Sequence, residues 1–549
     1  AAQVLCHTAG AAGIPPLSVE KGCRQSGFPL LLQQCAYCKG KNQATGGGTT
    51  HITGDAGRSM NEQEKKSRRN IVTTLASQLV ATACGIVVPR ILIGSFGSEA
   101  YGISVSITQF LSYITLLEGG IGGVARAKLY GPLTRRDQRE IGAVYYAVKR
   151  FFYYVAAFFL VYSLVLGLLY YDIARVTIFS RTYVFGLVLV ISLTTLAKYM
   201  GGLANLTLIA ADQKQYVNNI ITIGITLINT LAIIILTGSK CDLIWVKLGS
   251  SLIFVVRPLL YAVYVRRHYS LPKMGKGKAV LEQKWTGIGQ HIAYFLHTNT
   301  DIVLLTLFAD VRLVAVYSVY SLVISSIRAI AEASSGGMEA AFGELIAKGQ
   351  IEELRKAYYR YKVLLTAVTT TLFCCTGILI VPFVRLYTSG ITDADYIQPM
   401  FAVILLTAEA VNCLILPCAS LPIAANHIKQ TKWGAYGEAA INVLLSCLLM
   451  QWDPLLGVAL GTLTATLFRG VFYMIYSSRH ILCVPVYKSI LVLLGTLLFM
   501  ETGISVGDYL IARVEIGNYF QWILCGAITF TAIGVPVGAA AYFCMKRHA

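Results

Sequence analysis

From Ile71 to the C-terminus, long apolar runs return about every 30 residues and are separated by short polar breaks. A bilayer core of ~30 Å takes about 20 residues as helix, and backbone amides inside it must be paired within their own segment. Each run therefore predicts a spanning helix. The predicted spans are 71–94, 101–126, 146–170, 181–200, 217–238, 243–265, 286–308, 313–335, 361–384, 397–420, 434–451, 455–478, 487–506 and 519–544. The fold class is all-α and polytopic, and an even number of crossings puts both termini on one face.

The loops test this order independently. Lys65, Lys66, Arg68 and Arg69 precede the first helix, and Arg135, Arg136, Arg139, Lys149 and Arg150 follow the second. Arg266, Arg267, Lys273, Lys276, Lys278 and Lys284 follow the sixth; Lys348, Arg355, Lys356, Arg360 and Lys362 follow the eighth. Loops such as 94–100 and 388–397 are short and poor in Lys and Arg. The positive-inside rule then predicts cytoplasmic basic loops and cytoplasmic termini. The net charge of +19 is thereby placed by topology and gives no reason to expect a nucleic-acid partner. With 56% hydrophobic and only 13% charged residues, the chain is too apolar for an ordinary soluble surface.

Of the 14 cysteines, most sit singly in apolar runs, as Cys84, Cys413, Cys447 and Cys525 do, and are expected to pack as small hydrophobes. Cys35 and Cys38 form a C-x-x-C without the second pair or nearby His that a zinc site needs. No metal or cofactor is expected. Residues 1–59, rich in Gly, Ala, Thr and Gln, are expected to be a disordered extension upstream of a natural start at Met60.

The chain also repeats itself. At one constant separation Ser104 matches Ser318, Ser112 matches Ser326, Glu118 matches Glu332, and Gly122 and Gly123 match Gly336 and Gly337. The second and eighth helices thus correspond, predicting two pseudo-symmetric bundles of six helices each, 60–270 and 271–480, with two further helices in 481–549. Transporters commonly place their substrate path between such halves.

Both matching helices carry a polar stripe. Ser318, Ser321, Ser325, Arg328, Glu332, Ser335 and Glu339 share one helical face, as do Ser104, Thr108, Ser112, Thr115, Glu118, Gly122 and Arg126. Small hydroxyl residues at this spacing also serve helix packing. An ionised group at membrane depth costs about 2.5–3.5 kcal/mol on the mildest scale, so it should face a wet cavity or a partner. Arg328 and Glu332, four apart, can pair with each other. Arg257 precedes Pro258 and Arg90 follows Pro89, where a missing helical hydrogen bond kinks the chain. Arg90 lies near its helix end, where it can also snorkel to the interface. His297, Asp301, Glu409 and Arg469 are further charged or titratable positions within spans. Asp301 suits a counter-ion to Arg328 or Arg257, or a ligand for a coupling ion. Several guanidinium groups in one cavity favour an anionic substrate group such as phosphate or pyrophosphate.

The stretch Phe96 to Gly102, with the polar second helix and its Gly-rich end, resembles the start of Wzx-type polysaccharide transporters. Asp301 to Asp310 and Val316 to Tyr320 resemble the same proteins, although Ala315-Val316 replaces their usual Gly. These belong to the multidrug/oligosaccharidyl-lipid/polysaccharide (MOP) superfamily, and the likeness runs over residues 65–545. It implies a non-enzymatic flippase in a bacterial cytoplasmic membrane that moves a lipid-diphosphate-linked oligosaccharide for polysaccharide biosynthesis. Arg257 and Arg328 would hold the diphosphate and Arg90 would be an outer contact. Asp301, Glu332 and Glu118 would balance charge or couple to an ion. A glycan polymerase or glycosyltransferases would be partners beside the membrane lipids. A drug or metabolite exporter of the same superfamily, driven by Na+ or H+, is the alternative. There is no G-x-x-x-x-G-K-S/T phosphate loop for ATP.

Overall fold

The computed structural model describes residues 53–118, 121–272, 288–514 and 516–547. Of the expected extension, residues 1–52, including Cys35 and Cys38, lie outside the described residues, and 53–59 belong to the first helix. The basic positions Lys273, Lys276, Lys278 and Lys284 and the side chain of His297 also lie outside them. By its contacts the chain divides at Gln63, and the membrane body is Glu64–Ala549.

All described regular structure is helical. α1 (Thr53–Ser112) holds the first two predicted spans, joined at Gly97, whose φ of 84° ends one helix and lets the chain double back. It is followed by α2 (Thr115–Glu118), α3 (Ile121–Arg135), α4 (Gln138–Ile173), α5 (Arg181–Ala197), α6 (Leu203–Ala211), α7 (Gln215–Gly238) and α8 (Leu243–His268). The second half begins with α9 (Ile288–Phe308), α10 (Val311–Glu332), α11 (Ser335–Ala347) and α12 (Ile351–Tyr387). It continues through α13 (Pro399–Leu414), α14 (Leu416–Ala424), α15 (Ile428–Leu449) and α16 (Pro454–Ser477), before α17 (Val486–Ile511) and α18 (Tyr519–Arg547). Eleven described helical stretches are long and apolar enough to cross a membrane, one of them carrying two predicted spans across Gly97. The predicted spans 286–308 and 434–451 are the helices α9 and α15.

Polar residues set the helix starts. Asp137, Asp242, Asp310 and Asp453 each accept a backbone N–H from the first turn of α4, α8, α10 and α16. Several predicted spans are interrupted: the second breaks after Ser112 and resumes as α2 and α3, α10 gives way to α11 after Glu332, a π turn at Lys198–Gly202 separates α5 from α6, and Ile415 separates α13 from α14.

Packing within each half relies on small residues, because lipid supplies no hydrophobic drive between helices. α15 and α16 touch where Gly434 and Gly437 receive Phe472 and Phe468, and where Gly457 lies against the backbone of Leu449 and Met450. α17 docks on α12 through Gly377 against Ile504 and Gly507 against Ile378, and Trp522 of α18 donates to the Leu379 carbonyl. All ten cysteines among the described residues are free thiols.

Gly457→Ala puts a methyl 2.4 Å from the Met450 nitrogen, an overpacking worth about 1–3 kcal/mol. Its melting temperature in detergent, followed by size exclusion, falls below wild type. Gly224→Ala, whose Cβ meets nothing within 4 Å, leaves it unchanged or raised.

Candidate functional site

The predicted charged residues fall into separate clusters. In the second half, Asp301 on α9 is buried and accepts hydrogen bonds from Tyr317 of α10 at 2.9 Å and Thr462 of α16 at 3.0 Å. Asn442 of α15 donates to Thr462 at 2.8 Å, while its buried Oδ1 has no hydrogen-bond partner among the described residues. Two carboxylate oxygens, a hydroxyl and an open amide oxygen are hard donors of the kind that suit a small cation.

About three turns along α10 from Tyr317, Arg328 pairs with Glu409 of α13 at 2.9 Å and with Glu332 of its own helix at 3.4 Å. Asn412 donates to the other Glu409 oxygen at 3.2 Å and also meets Arg469, which pairs with buried Glu438 at 3.1 Å. A cavity of about 70 Å³ joins the two groups, lined by Asp301, Tyr317, Ser321, Ser325, Arg328, Glu409 and Thr462. Asp301 and Arg328 thus face one space, with the hydroxyls of the predicted α10 stripe between them.

Arg257 sits elsewhere, on α8 in the first half. Its Nε donates to Tyr261 at 2.7 Å and its Nη2 to Thr222 of α7 at 2.6 Å, with Asn218 at 3.4 Å. No carboxylate lies within ion-pair distance of it among the described residues. Neutral groups hold one edge of the guanidinium and leave its charge uncompensated, the arrangement an incoming anion requires. Glu118 is engaged with Lys198 and the Tyr199 hydroxyl, both at 3.0 Å, beside the π turn. Arg90 donates to the Ser389 carbonyl at 2.7 Å, near the face poor in basic residues. The structure therefore brings Arg328, Glu332 and Asp301 together and keeps Arg257, Glu118 and Arg90 apart from them.

Beside these polar clusters runs an apolar groove of about 960 Å³ between α12, α17 and α18. Val363, Val492, Phe499 and Val537 line its length, and Arg355, Lys356, Lys362 and Lys488 stand at its end toward the basic loops. Sequence reading missed this groove because its walls belong to helices far apart in the chain. It also passed over Tyr317, Asn442 and Thr462, although polar residues four apart in apolar helices (Asn442 and Ser446, Thr462 and Thr466) were a visible sign.

No family model matches the chain, and no curated protein matches it by sequence. Its structure is similar to that of the lipid II flippase MurJ in an inward closed conformation, with a TM-score of 0.62 at 13% identity, covering 86% of this chain and 98% of that one. It is also similar to the MATE multidrug transporter DinF-BH, with a TM-score of 0.55 at 14% identity over 77% and 97% of the two chains. An inward-facing multidrug resistance MATE transporter of the MOP superfamily gives 0.54 at 11% identity over 76% and 99%. The chain shares its fold with these transporters, the fold that the sequence resemblance implied.

Arg328→Ala leaves Glu332 and Glu409, both part-exposed, without their cation, a destabilising loss that solvent screening holds below the cost of breaking a fully buried pair. The amount of folded protein in the membrane falls, and adding Glu409→Gln to the same chain restores much of it. Arg257→Ala strands no carboxylate and folds at close to the wild-type level.

Proposed function

We propose that this multi-pass membrane protein is a flippase that translocates a lipid-diphosphate-linked oligosaccharide across a bacterial cytoplasmic membrane, with its basic loops and termini cytoplasmic. The observation that carries the reading is the groove: an apolar channel of about 960 Å³ with Lys362 and Lys488 at one end, beside Arg355 and Lys356 in their pairs with Glu352 and Glu353, matches an amphiphile with a long tail and an anionic head. Arg257, Arg328 and Arg90 are the proposed substrate contacts. Of these Arg257 is the strongest, since its charge has no counter-ion among the described residues, whereas Arg328 would exchange a glutamate for the diphosphate.

Asp301 is the proposed coupling site, where a proton or Na+ would alter the charge facing Arg328 across their common cavity. Glu332 and Glu118 balance Arg328 and Lys198. An ion-coupled exporter of drugs or metabolites is the second reading, favoured by the same oxygen cluster around Asp301. The two differ in the charge of the cargo, and the uncompensated Arg257 with the cationic groove end favours an anion. A glycan polymerase or glycosyltransferases would act before or after this step.

In proteoliposomes loaded with a fluorescent polyprenyl-diphosphate-linked glycan, the protein moves the head group between leaflets, read by dithionite quenching. Arg257→Ala slows this at least about tenfold, equivalent to ~1.4 kcal/mol of lost anion binding, and Arg257→Lys recovers part of it. A wild-type rate in Arg257→Ala removes that residue from the path. Asp301→Asn abolishes the response of the rate to an imposed Na+ or pH gradient.

A further inference from the structure

Among the described residues, hydrogen bonds join the two predicted halves from the basic-poor face to about mid-depth. There, Ser98 donates through its backbone N and its Oγ to the two oxygens of Asp393, each at 2.6 Å, and shares a hydrogen bond of 2.7 Å with Tyr396. Glu99 Oε2 accepts from Arg312 at the start of α10 at 3.0 Å, while its Oε1 accepts from the Thr177 backbone N and hydroxyl within the first half. Deeper, Ser106 pairs with Thr306 at 2.7 Å and Gln109 with Asn299 at 2.6 Å. On α3 and α11 a Cβ added at Gly122, Gly123 or Gly337 would meet nothing within 4 Å.

Two backbone features serve this closure. Gly97 has φ +84°, and a Cβ there would lie 2.9 Å from Asp393 Oδ2, so only glycine lets Asp393 reach the Ser98 amide. At Gly102 a Cβ would fall 2.0 Å from the Val311 carbonyl oxygen, which makes this the tightest approach of the two halves among the described glycines. The chemistry of the seam changes with depth, from ionic at the surface to neutral hydroxyl and amide pairs beneath. Burial pushes the Tyr396 phenol up to about 12, against the pull of its Ser98 bond, so it stays a neutral partner.

We propose that Glu99–Arg312 and Ser98–Asp393 form a latch that holds the outer face shut, and that it parts when the transporter opens outward, with Glu99 retained on the first half by Thr177. Every group in it regains water on opening, so it can release and re-form, which an apolar seal of the same area would resist. The latch rests on the transport reading above only for its direction of opening. Its existence is tested by conformation alone.

Ser106→Cys supplies a thiol at a fully buried position beneath the latch. In intact cells, with the same chain lacking that substitution as background, a membrane-impermeant maleimide labels it slowly. Adding Arg312→Glu places two carboxylates together and raises the labelling rate about tenfold, and Glu99→Arg with Arg312→Glu brings protection back. Gly102→Leu, a wedge that touches no charge, also raises it. Equal labelling in all of these variants, each confirmed monodisperse in detergent, overturns the latch whatever the cargo is. In proteoliposomes, oxidising Ser106→Cys with Thr306→Cys stops head-group translocation and reductant restores it. Translocation at full rate in the oxidised pair overturns the requirement for parting.

Discussion

A charge in hydrocarbon must be matched by an opposite charge or by water, and that constraint sorts this molecule. Arg328 and Arg257 look alike in the sequence, each deep in an apolar run. The fold treats them differently. Arg328 is matched twice by carboxylates, so its surroundings are close to neutral or negative before any ligand arrives. Arg257 is steadied by a phenol, a hydroxyl and an amide, which orient it without cancelling it. A transport site that must release its cargo gains from the second arrangement, since an anion held by one oriented cation can leave more readily than one locked among several.

The two kinds of helix contact follow from their different tasks. Within a half, glycines let helices approach to backbone distance, as at Gly457 and Gly377, and such contacts are lost steeply with small displacement. Each half is thereby suited to move as a body. Between the predicted halves the described seam includes hydrogen bonds and one ion pair beside its apolar contacts, with Gly102 the conspicuous close approach. Rigid halves joined by an exchangeable polar seam are what alternating exposure of one site demands.

The helices and their order were legible because in lipid the backbone leaves a chain few options, and the length of an apolar run then reports a crossing directly. The charged positions were legible for the same reason: Asp301 and Arg328 stand out against leucine and valine. Their partners were not. Glu409 lies 81 positions from Arg328 and Thr462 lies 161 from Asp301, so only tertiary packing brings them together. Glu99 and Asp393 read as ordinary loop acids near helix ends, and nothing local marks them as reaching across the seam. The tail groove escaped for a similar reason, as α12 and α17 meet through glycines whose role depends on the residue opposite.

The second half contains a continuous polar path whose geometry bears on coupling. From Arg328 it passes through Glu409 and Asn412 to Arg469 and Glu438, linking α10, α13, α16 and α15. Asp301 stands beside this path, bonded to Thr462 on α16 and facing the cavity that Arg328 and Glu409 also line. Adding a cation or proton there removes a negative charge from a space of about 70 Å³ in which Glu409 competes for Arg328. Arg328 and Tyr317, the partner of Asp301, lie on α10, the helix whose far end carries Arg312, so the proposed ion site and the proposed latch share one helix. On the flippase reading, ion occupancy and outer opening need no relay beyond that helix.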